Sequence, residues 1–450
     1  MEDFATLAIQ ELLHPEGFDC ACGRHHGTGL RHFILGNGAL EQLPRVLQTM
    51  SIRRPFVVSD SHTDPVAGEK VRMLLLAAAI PFASYRYPPR PHAIEPDEAA
   101  VGALCMAFDP ACDALLAVGS GVINDCCKVA AHALGRPSLV VATAPSMDGY
   151  ASDNASMIQN RVKVSLYNAC PVAIIADTSI LRQAPEAMLM AGLGDMLAKY
   201  VSLCEWRISH LVTEEYYCPQ VAALVRGALS RVREYAPGLM RREGAAIDSV
   251  MEGLVMSGVA MSFAGISRPA SGLEHYFSHL WEMKALRGLA QPSLHGIQVG
   301  VGTCLTLKLY EHIRQLTPSR AKAEAAIRAF SPAAWERDLH TLFGEDAAQK
   351  LIAQEAVEKK NDPQKHALRL QRLLEHWEDI RQIIREELPP LAEIVTLMQG
   401  LGLPLKPEDI GLTPRDAAEA LLGSRSIRDK YLTSSMLWDL GELEDFTAYV

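Results

Sequence analysis

Short, largely apolar runs alternate with amphipathic stretches over the first 180 of the chain's 450 residues. Runs that are apolar throughout are typical of strands buried on both faces of a sheet. Helical patterns separate the runs, as expected where helices connect parallel strands. The predicted strands cover residues 33–35, 55–60, 82–87, 114–118, 139–142 and 172–176.

The pattern changes near residue 180. From Pro185 to Val450 the apolar residues recur almost entirely with the helical period of about 3.6, and proline or glycine marks the breaks between helices. The sequence therefore predicts an α/β plus α fold. A Rossmann-like parallel-sheet domain is expected over residues 1–180, followed by an all-helical domain over residues 181–450.

Composition and charge narrow the class of protein. Hydrophobic residues make up 49% of the chain and charged residues 21%, as in an ordinary globular protein. The net charge of −10 argues against nucleic acid or an anionic membrane as the main partner. Most of the ten cysteines lie in apolar or helical stretches, as reduced thiols do. The longest apolar run, residues 73–83, is too short to span a membrane. We expect a soluble, cytoplasmic protein.

A glycine-rich turn is the first candidate for chemistry. The strand at 114–118 ends in Gly119-Ser120-Gly121, and Val122 and Ile123 continue into a helix. Backbone N–H groups at such a turn can approach a phosphate, and the helix dipole favours its negative charge. The pattern is not Gly-x-Gly-x-x-Gly, and any tight strand-to-helix turn favours glycine, so the two interpretations are equally open.

The segment 143–152 is the second candidate, because it follows the strand at 139–142. Its hydroxyls and the Asp148 carboxylate would lie at the carboxyl edge of the sheet, where open α/β sheets bind ligands. These groups suit contacts to a ribose or a polyol. The alternative is a polar loop with an Asx turn at Asp148.

Histidines provide the third candidate. His275 and His279 are spaced i, i+4 and share one face of a helix, and His295 follows. With a carboxylate such as Asp195 they could form a two-histidine, one-carboxylate site for a divalent ion, with positions open to substrate. A helix that carries two histidines is more often simply polar, so spacing alone leaves both interpretations open.

A cysteine- and histidine-rich segment is the fourth candidate. Cys20, Cys22, His25 and His26 place four soft ligands within seven residues. No second, distant pair completes a familiar zinc-finger spacing, so a loop of reduced thiols is at least as good an interpretation. Gly-x-Ser-x-Gly and Walker patterns are absent from the sequence, which disfavours a hydrolase or a kinase.

Five segments in this order resemble the sn-glycerol-1-phosphate dehydrogenases. These belong to the group that contains iron-type alcohol dehydrogenases, glycerol dehydrogenase and dehydroquinate synthase. The resemblance runs from about residue 28 to about residue 310, and residues 427–431 and 437–441 look like the tail of the longer bacterial members. The segments are residues 119–125, 143–152, 191–195, 267–275 with His279, and 294–296.

The resemblance implies roles for individual residues. Asp195, His275 and His295 would be the metal ligands. Asp148 and His279 would act in catalysis and contact the substrate, which Asp195 would also touch. The first domain would bind the dinucleotide, and the second would hold the metal and the substrate. The dinucleotide would contact Asp60, Gly119, Ser120, Gly121, Val122, Ile123, Thr143, Ala144, Pro145, Ser146 and Ser152.

The implied reaction is the reversible, NAD(P)H-linked reduction of dihydroxyacetone phosphate to sn-glycerol 1-phosphate. One divalent ion per subunit (zinc, nickel or iron) would act as a Lewis acid. Asp60 near the adenosine ribose favours NAD over NADP, because a carboxylate repels a 2′-phosphate. The alternatives are a glycerol or other polyol dehydrogenase of the same fold, a dehydroquinate-synthase-like lyase, and a non-catalytic nucleotide-binding protein. Relatives of this kind are commonly dimers or larger assemblies, so we expect a homodimer.

Two details depend on this chain's own residues. Lys163, Arg268 and Lys199 are near the segments in sequence and are candidates for the substrate phosphate. Ile297 and Gln298 follow His295-Gly296 where several relatives have an acidic residue. A carboxylate behind a ligating histidine commonly orients it, so this difference bears on the affinity and identity of the metal.

Overall fold

The structure is a computed structural model that describes residues 4–89, 94–160 and 162–450. The strands in this part of the chain are β1 (Phe18–Asp19), β2 (His25–His26), β3 (His32–Gly36), β4 (Pro55–Ser59), β5 (Ala83–Arg86), β6 (Ala114–Gly119), β7 (Ser138–Ala142), β8 (Asn154–Gln159), β9 (Val162–Tyr167) and β10 (Ala173–Asp177). Every residue of β4, β6, β7 and β10 is buried, as their apolar sequences require.

Helices make up most of the remaining described residues. The α-helices are α1 (Ile9–Leu12), α2 (Leu43–Thr49), α3 (Glu69–Ala77), α4 (Glu98–Ala107), α5 (Gly121–Leu134), α6 (Thr178–Leu181), α7 (Glu186–Leu197), α8 (Lys199–Thr213), α9 (Pro219–Tyr235), α10 (Gly244–Ala264), α11 (Leu273–Leu286), α12 (His295–Ile313), α13 (Arg320–Ala329), α14 (Pro332–Phe343), α15 (Glu345–Glu358), α16 (Pro363–Glu375), α17 (Trp377–Glu387), α18 (Leu391–Gly400), α19 (Pro414–Ser424) and α20 (Thr433–Asp439). A π-helix, Asp64–Gly68, precedes α3.

Six of the strands form one parallel sheet in the order β3-β10-β7-β6-β4-β5. They coincide with the six predicted strands. The sheet is followed by a helical C-terminal region, so the predicted α/β plus α fold class is confirmed. Two antiparallel pairs, β1–β2 and β8–β9, lie outside the sheet and were not predicted. A strand of two residues is too short to show a sequence pattern. In β8 buried and partly exposed positions alternate, so it lacks the continuous apolar run of the sheet's central strands.

The chain divides into two compact units. The first contains residues 1–196 and 218–270, and the second contains residues 197–217 and 271–450. The parallel sheet, α9 and α10 belong to the first unit, whereas α8 and α11 to α20 belong to the second. The sequence predicts a division near residue 180, and residues 181–196 and 218–270 group with the sheet in this structure. The functional roles assigned to the two predicted domains stay a prediction.

Two helical segments of the described residues are long and apolar enough to cross a membrane by length and composition. They are Glu186–Thr213 and Gly244–Ala264. Their most apolar windows are 78% and 83% buried inside the protein, and the core helices of folded proteins pass the same test.

Candidate active site

The order of the strands creates a switch point between β4 and β6 in the first unit. From β4 the chain continues to β5 on one side of this point. From β6 it continues to β7, and then through β8 and β9 to β10, on the other side. Ligands of open α/β sheets bind outside the carboxyl ends of the strands at such a point. Asp60 directly follows β4, and Gly119 is the last residue of β6. Two of the predicted cofactor positions therefore lie at the edge where a dinucleotide is expected.

The Gly119-Ser120-Gly121 turn lies beside the loop that follows β7. Thr143 donates its backbone N–H to the carbonyl of Gly119 over 3.1 Å, and the hydroxyls of Ser120 and Ser146 hydrogen-bond each other at 2.5 Å. A Cβ on Gly119 would lie 2.7 Å from Cβ of Ile123, so only glycine permits this approach of strand and helix. The structure thus brings together Gly119 to Ile123 and Thr143 to Ser146.

Asp148 and Asp195 also meet in the first unit. The backbone N–H of Asp148 donates to Oδ2 of Asp195 over 2.9 Å, and Ser257 donates from its hydroxyl to Oδ2 of Asp148 over 2.9 Å. Asp195 is fully buried on α7. This helix can approach so closely because Gly192 has no Cβ, which would lie 1.9 Å from the carbonyl oxygen of Pro145. The helix and the loop therefore fix the positions of both carboxylates.

A buried lysine holds the end of this loop. Lys128 on α5 donates from Nζ to the carbonyls of Gly149 (2.6 Å) and Asn154 (2.8 Å), and Nζ lies 3.4 Å from the Asp125 carboxylate. Burial raises the pKa of Asp125, and the charge of Lys128 opposes that rise. The hydroxyl of Ser152 is fully buried in the same network, 3.3 Å from Nζ.

Three histidines cluster in the second unit. His275 and His279 lie on α11, and His295 is the first residue of α12. The ring centroid of His275 is 5.2 Å from that of His295 and 6.4 Å from that of His279. The rings of His279 and His295 are stacked with centroids 6.0 Å apart. The predicted i, i+4 pair therefore does share one helix face, and His295 joins it.

Carboxylates orient the rings of this cluster. His275 donates from Nδ1 to Glu274 over 2.8 Å, and His295 donates from Nδ1 to Oε1 of Glu282 over 3.2 Å. Nδ1 of His279 lies 3.5 Å from Oε2 of Glu282. Because a carboxylate only accepts hydrogen bonds, the neutral rings of His275 and His295 keep their lone pairs on Nε2. That tautomer is the one in which an imidazole ligates a metal through Nε2.

Comparisons with known proteins agree with these features. The profile of iron-containing alcohol dehydrogenases matches residues 34–185. The glycerol-1-phosphate dehydrogenase [NAD(P)+] of Halalkalibacterium halodurans is 32% identical to this chain over 92% of the chain and 93% of that relative. The chain belongs to the glycerol-1-phosphate dehydrogenase family. The protein of the same name from Geobacillus stearothermophilus is 29% identical over 98% of both chains. The predicted family and enzyme type are therefore confirmed.

The fold of this glycerol-1-phosphate dehydrogenase family member also matches solved structures. The crystal structure of glycerol dehydrogenase from Schizosaccharomyces pombe aligns with a TM-score of 0.60 at 15% identity, over 93% of this chain and 90% of that one. At this level of identity the match concerns the fold alone. It agrees with the parallel sheet and the helical region that follows it.

The roles of the individual site residues stay predictions in this family member. The burial of four of these residues is relevant to their predicted roles. Ser152 is buried and hydrogen-bonded within the protein. Lys199 and Arg268, two candidates for the substrate phosphate, are also buried, whereas Lys163 on β9 is half-buried.

Sequence reasoning missed Lys128, Glu274 and Glu282, all of which support predicted site residues. Glu282 lies three residues after His279 on one helix face, and Lys128 lies three residues after Asp125. These spacings could have indicated both residues. Gln298, which follows His295-Gly296 closely in the chain, accepts a hydrogen bond from Ser278 over 2.9 Å. The Ser278 hydroxyl in turn lies 3.1 Å from Nδ1 of His295.

Proposed function

We propose that the protein is a metal-dependent oxidoreductase that reduces dihydroxyacetone phosphate to sn-glycerol 1-phosphate with NADH or NADPH. The observation that carries this assignment is the histidine cluster of the second unit. His275 and His295 both have Nδ1 held by a carboxylate, and in that tautomer Nε2 is the atom through which a neutral imidazole ligates a metal. Relatives similar over almost the whole chain bear the name of this activity.

The donor set fits a divalent metal ion. Asp195, His275 and His295 would hold the ion, and two neutral imidazoles with one carboxylate leave it a net positive charge. When bound, such an ion acts as a Lewis acid that stabilises negative charge on a carbonyl oxygen during reduction. Glu282 would take the orienting role of the acidic residue that the resemblance leads us to expect after His295-Gly296, because its Oε1 accepts from Nδ1 of His295.

The other residues would bind the reactants and move the proton. The backbone N–H groups of the turn at Gly119 to Ile123, with the dipole of α5, would bind the dinucleotide phosphates. Asp148, fixed by Ser257, would accept hydrogen bonds from substrate hydroxyls. His279 would donate the proton to the reduced oxygen, and Glu282, 3.5 Å from its Nδ1, would stabilise the protonated ring.

Asp60 supports a preference for NADH. Its Oδ1 accepts the backbone N–H groups of His62 (2.9 Å) and Thr63 (2.7 Å). Among residues 4–89, 94–160 and 162–450 none hydrogen-bonds Oδ2, which would accept from the ribose hydroxyls. We expect Asp60→Ala to lower the ratio of kcat/KM for NADH over NADPH, with Asp19→Ala, which removes an exposed carboxylate, as the control. An unchanged ratio would assign the preference to other residues.

Metal dependence tests the function. Chelated enzyme is expected to lose NADH oxidation with dihydroxyacetone phosphate and to regain it with Zn²⁺, Ni²⁺ or Fe²⁺. His295→Ala is expected to keep about 1% or less of the activity at saturating substrate, because the metal would lose a ligand, whereas His14→Ala, which alters an exposed histidine, should keep full activity. If the chelated and the metal-loaded protein were equally inactive, the proposed metal-dependent activity would be rejected. Equal kcat/KM for free dihydroxyacetone would favour a polyol dehydrogenase.

We also propose that the enzyme acts as a soluble cytoplasmic homodimer on small molecules, with no nucleic acid or membrane partner. The net charge of −10 supports the absence of polyanionic partners. Light scattering after size-exclusion chromatography tests the dimer: a mass near 98 kDa, twice the 49.2 kDa of one chain, is expected, and a mass near 49 kDa would refute it.

A further inference from the structure

The cysteine- and histidine-rich segment near the N-terminus acquires a fourth ligand in the fold. Cys20, Cys22 and His26 converge with Cys218, and their potential ligand atoms all lie within 4.8 Å of one another. Sγ of Cys20 is 3.7 Å from Sγ of Cys218, and Nε2 of His26 is 3.3 Å from Sγ of Cys22 and 3.5 Å from Sγ of Cys218. All four residues belong to the first unit, and none takes part in the proposed dehydrogenase site.

These distances are those of a tetrahedral metal site. Zinc binds sulfur at about 2.3 Å and nitrogen at about 2.0 Å, so a tetrahedral ion holds two sulfur ligands about 3.8 Å apart and a sulfur and a nitrogen about 3.5 Å apart. The three separations given above are within about 0.3 Å of these values, and the other pairs of ligand atoms lie within 4.8 Å. Three cysteines and one histidine are also a common ligand set of structural zinc sites. The side chains would therefore need little movement to bind an ion.

The local fold explains how the chain brings the four ligands together. β1 and β2 pair with Phe18 opposite His26, and the turn between them carries Cys20 and Cys22. Within the turn, Gly23 donates its N–H to the carbonyl of Cys20 over 3.0 Å. Cys218 lies at the N-terminus of α9, where the helix dipole favours a thiolate. The hairpin thus faces the start of α9.

The surroundings of His26 set its tautomer for metal binding. The ring donates from Nδ1 to the carbonyl of Phe263 over 2.7 Å, which leaves the lone pair on Nε2 facing the sulfur atoms. The ring stacks on Phe263 with centroids 5.8 Å apart and meets the edge of Phe4 at 5.7 Å. His26 and Cys218 are fully buried. A carbonyl behind the histidine and an apolar shell are what a structural zinc site requires.

We propose that Cys20, Cys22, His26 and Cys218 bind one structural zinc ion, independent of the ion in the dehydrogenase site. Four protein ligands close the coordination sphere, so this ion has no position for substrate. It links the N-terminal hairpin to α9 across a sequence separation of 192 residues between His26 and Cys218. Arg24 links the hairpin to α10 as well, because its guanidinium donates to the carbonyl of Ala264 over 3.3 Å.

An ion also accounts for the accumulation of three thiols. A thiol is a weak hydrogen-bond donor and a weak acceptor, so three thiols around one imidazole stabilise each other little. Zinc binds cysteine as the thiolate, so coordination would give each of the three sulfur atoms a strong partner.

Cobalt spectroscopy on the full chain tests the site, because the proposed dehydrogenase ligands contain no sulfur. Metal-free, reduced protein reconstituted with Co²⁺ is expected to show thiolate-to-cobalt charge-transfer absorption in the near ultraviolet and intense tetrahedral bands in the visible. The charge-transfer absorption should persist in His275→Ala, which removes a proposed dehydrogenase ligand, and should be lost in Cys218→Ser. Reconstituted wild-type protein without this absorption would overturn the assignment.

Matched variants and zinc analysis complete the test. His26→Ala is expected to lose one zinc equivalent per chain, whereas the neighbouring His25→Ala, whose exposed ring binds Asp19, should keep it. Cys105→Ser, which alters a cysteine on α4, is the control for Cys218→Ser. If the variants fail to fold, an organomercurial titration of the native chain still decides. Release of one zinc ion per chain as three thiols react would support the site. Reaction of the thiols without release of zinc would refute it.

Discussion

Replacing Gly192 with alanine should impair the candidate active site, although Gly192 is not among the residues assigned to the cofactor, the metal or the substrate. The new Cβ would lie 1.9 Å from the carbonyl oxygen of Pro145, and ordinary contact begins at 3.4 Å. Helix α7 or the loop at 143–148 must therefore move by about 1.5 Å. The hydrogen bond between the Asp148 N–H and Asp195, 2.9 Å long, joins these two segments and would be broken or displaced.

The size of the effect follows from two opposing contributions. Alanine in a helix interior is favoured over glycine by about 0.5–1 kcal/mol. Overpacking of a dense core costs about 1–3 kcal/mol, and here the obstacle is backbone that cannot rotate away. We expect a net loss of about 1–2 kcal/mol in the free energy of unfolding. Because about 1 Å of misplacement can cost about 100-fold in rate, kcat should fall by about that factor.

Gly227→Ala is the matched control. Gly227 is also in a helix interior, on α9, but a Cβ there would meet no atom within 4 Å. The same substitution should stabilise the protein by a few tenths of a kcal/mol to about 1 kcal/mol and leave kcat unchanged. Urea denaturation and NADH oxidation with dihydroxyacetone phosphate measure both quantities. If Gly192→Ala matched Gly227→Ala in stability and kcat, the close contact would have no functional role.

Three further predictions concern charged groups. Glu282→Gln should weaken metal binding about 10–100-fold in competition titrations. If its metal affinity equalled that of Glu336→Gln, which alters an exposed glutamate, the role of Glu282 would be contradicted. Lys128→Met should lower the free energy of unfolding in urea by about 3–5 kcal/mol, because it leaves the charge of buried Asp125 uncompensated. The loss should be smaller in the double variant Lys128→Met, Asp125→Asn. A loss equal to that of Lys350→Met, which alters an exposed lysine, would refute this prediction. The hydrogen bond from Arg72 lowers the pKa of Asp64 in the folded protein. The ionised Asp64 carboxylate therefore stabilises the fold above the ordinary aspartate pKa of about 3.9, and this stabilisation is lost as the pH falls through the lower pKa of the folded state. The stability difference between wild type and Asp64→Asn should therefore shrink below about pH 4, and a constant difference would contradict that linkage.

The sheet could be predicted because its buried strands are continuous apolar runs, which local sequence reveals. β4, β6, β7 and β10 all follow this pattern. The hairpin of β1 and β2 could not be predicted in the same way. Each strand has two residues, and their pairing depends on packing against helices more than 190 residues away in sequence.

In the candidate site, the shared helix face of two histidines could be predicted, whereas the residues that support them could not. The spacing of His275 and His279 places both on one face of α11 by helix geometry alone. No local pattern tells that Cys218 completes the ligands near Cys20, or that Lys128 holds the loop after β7. These contacts join segments that are distant in sequence, so three-dimensional packing decides them. Glu282 shows the intermediate case, because a helical spacing suggests it but only the fold places it on His295.

The stereochemistry of the product tests the central claim most directly. Metal-loaded enzyme should convert dihydroxyacetone phosphate and NADH into glycerol phosphate that a dehydrogenase specific for sn-glycerol 3-phosphate does not oxidise. Chiral chromatography should then show sn-glycerol 1-phosphate alone. A product that is oxidised completely by the sn-3-specific enzyme, or no NADH oxidation under any metal, would contradict the assignment of this site.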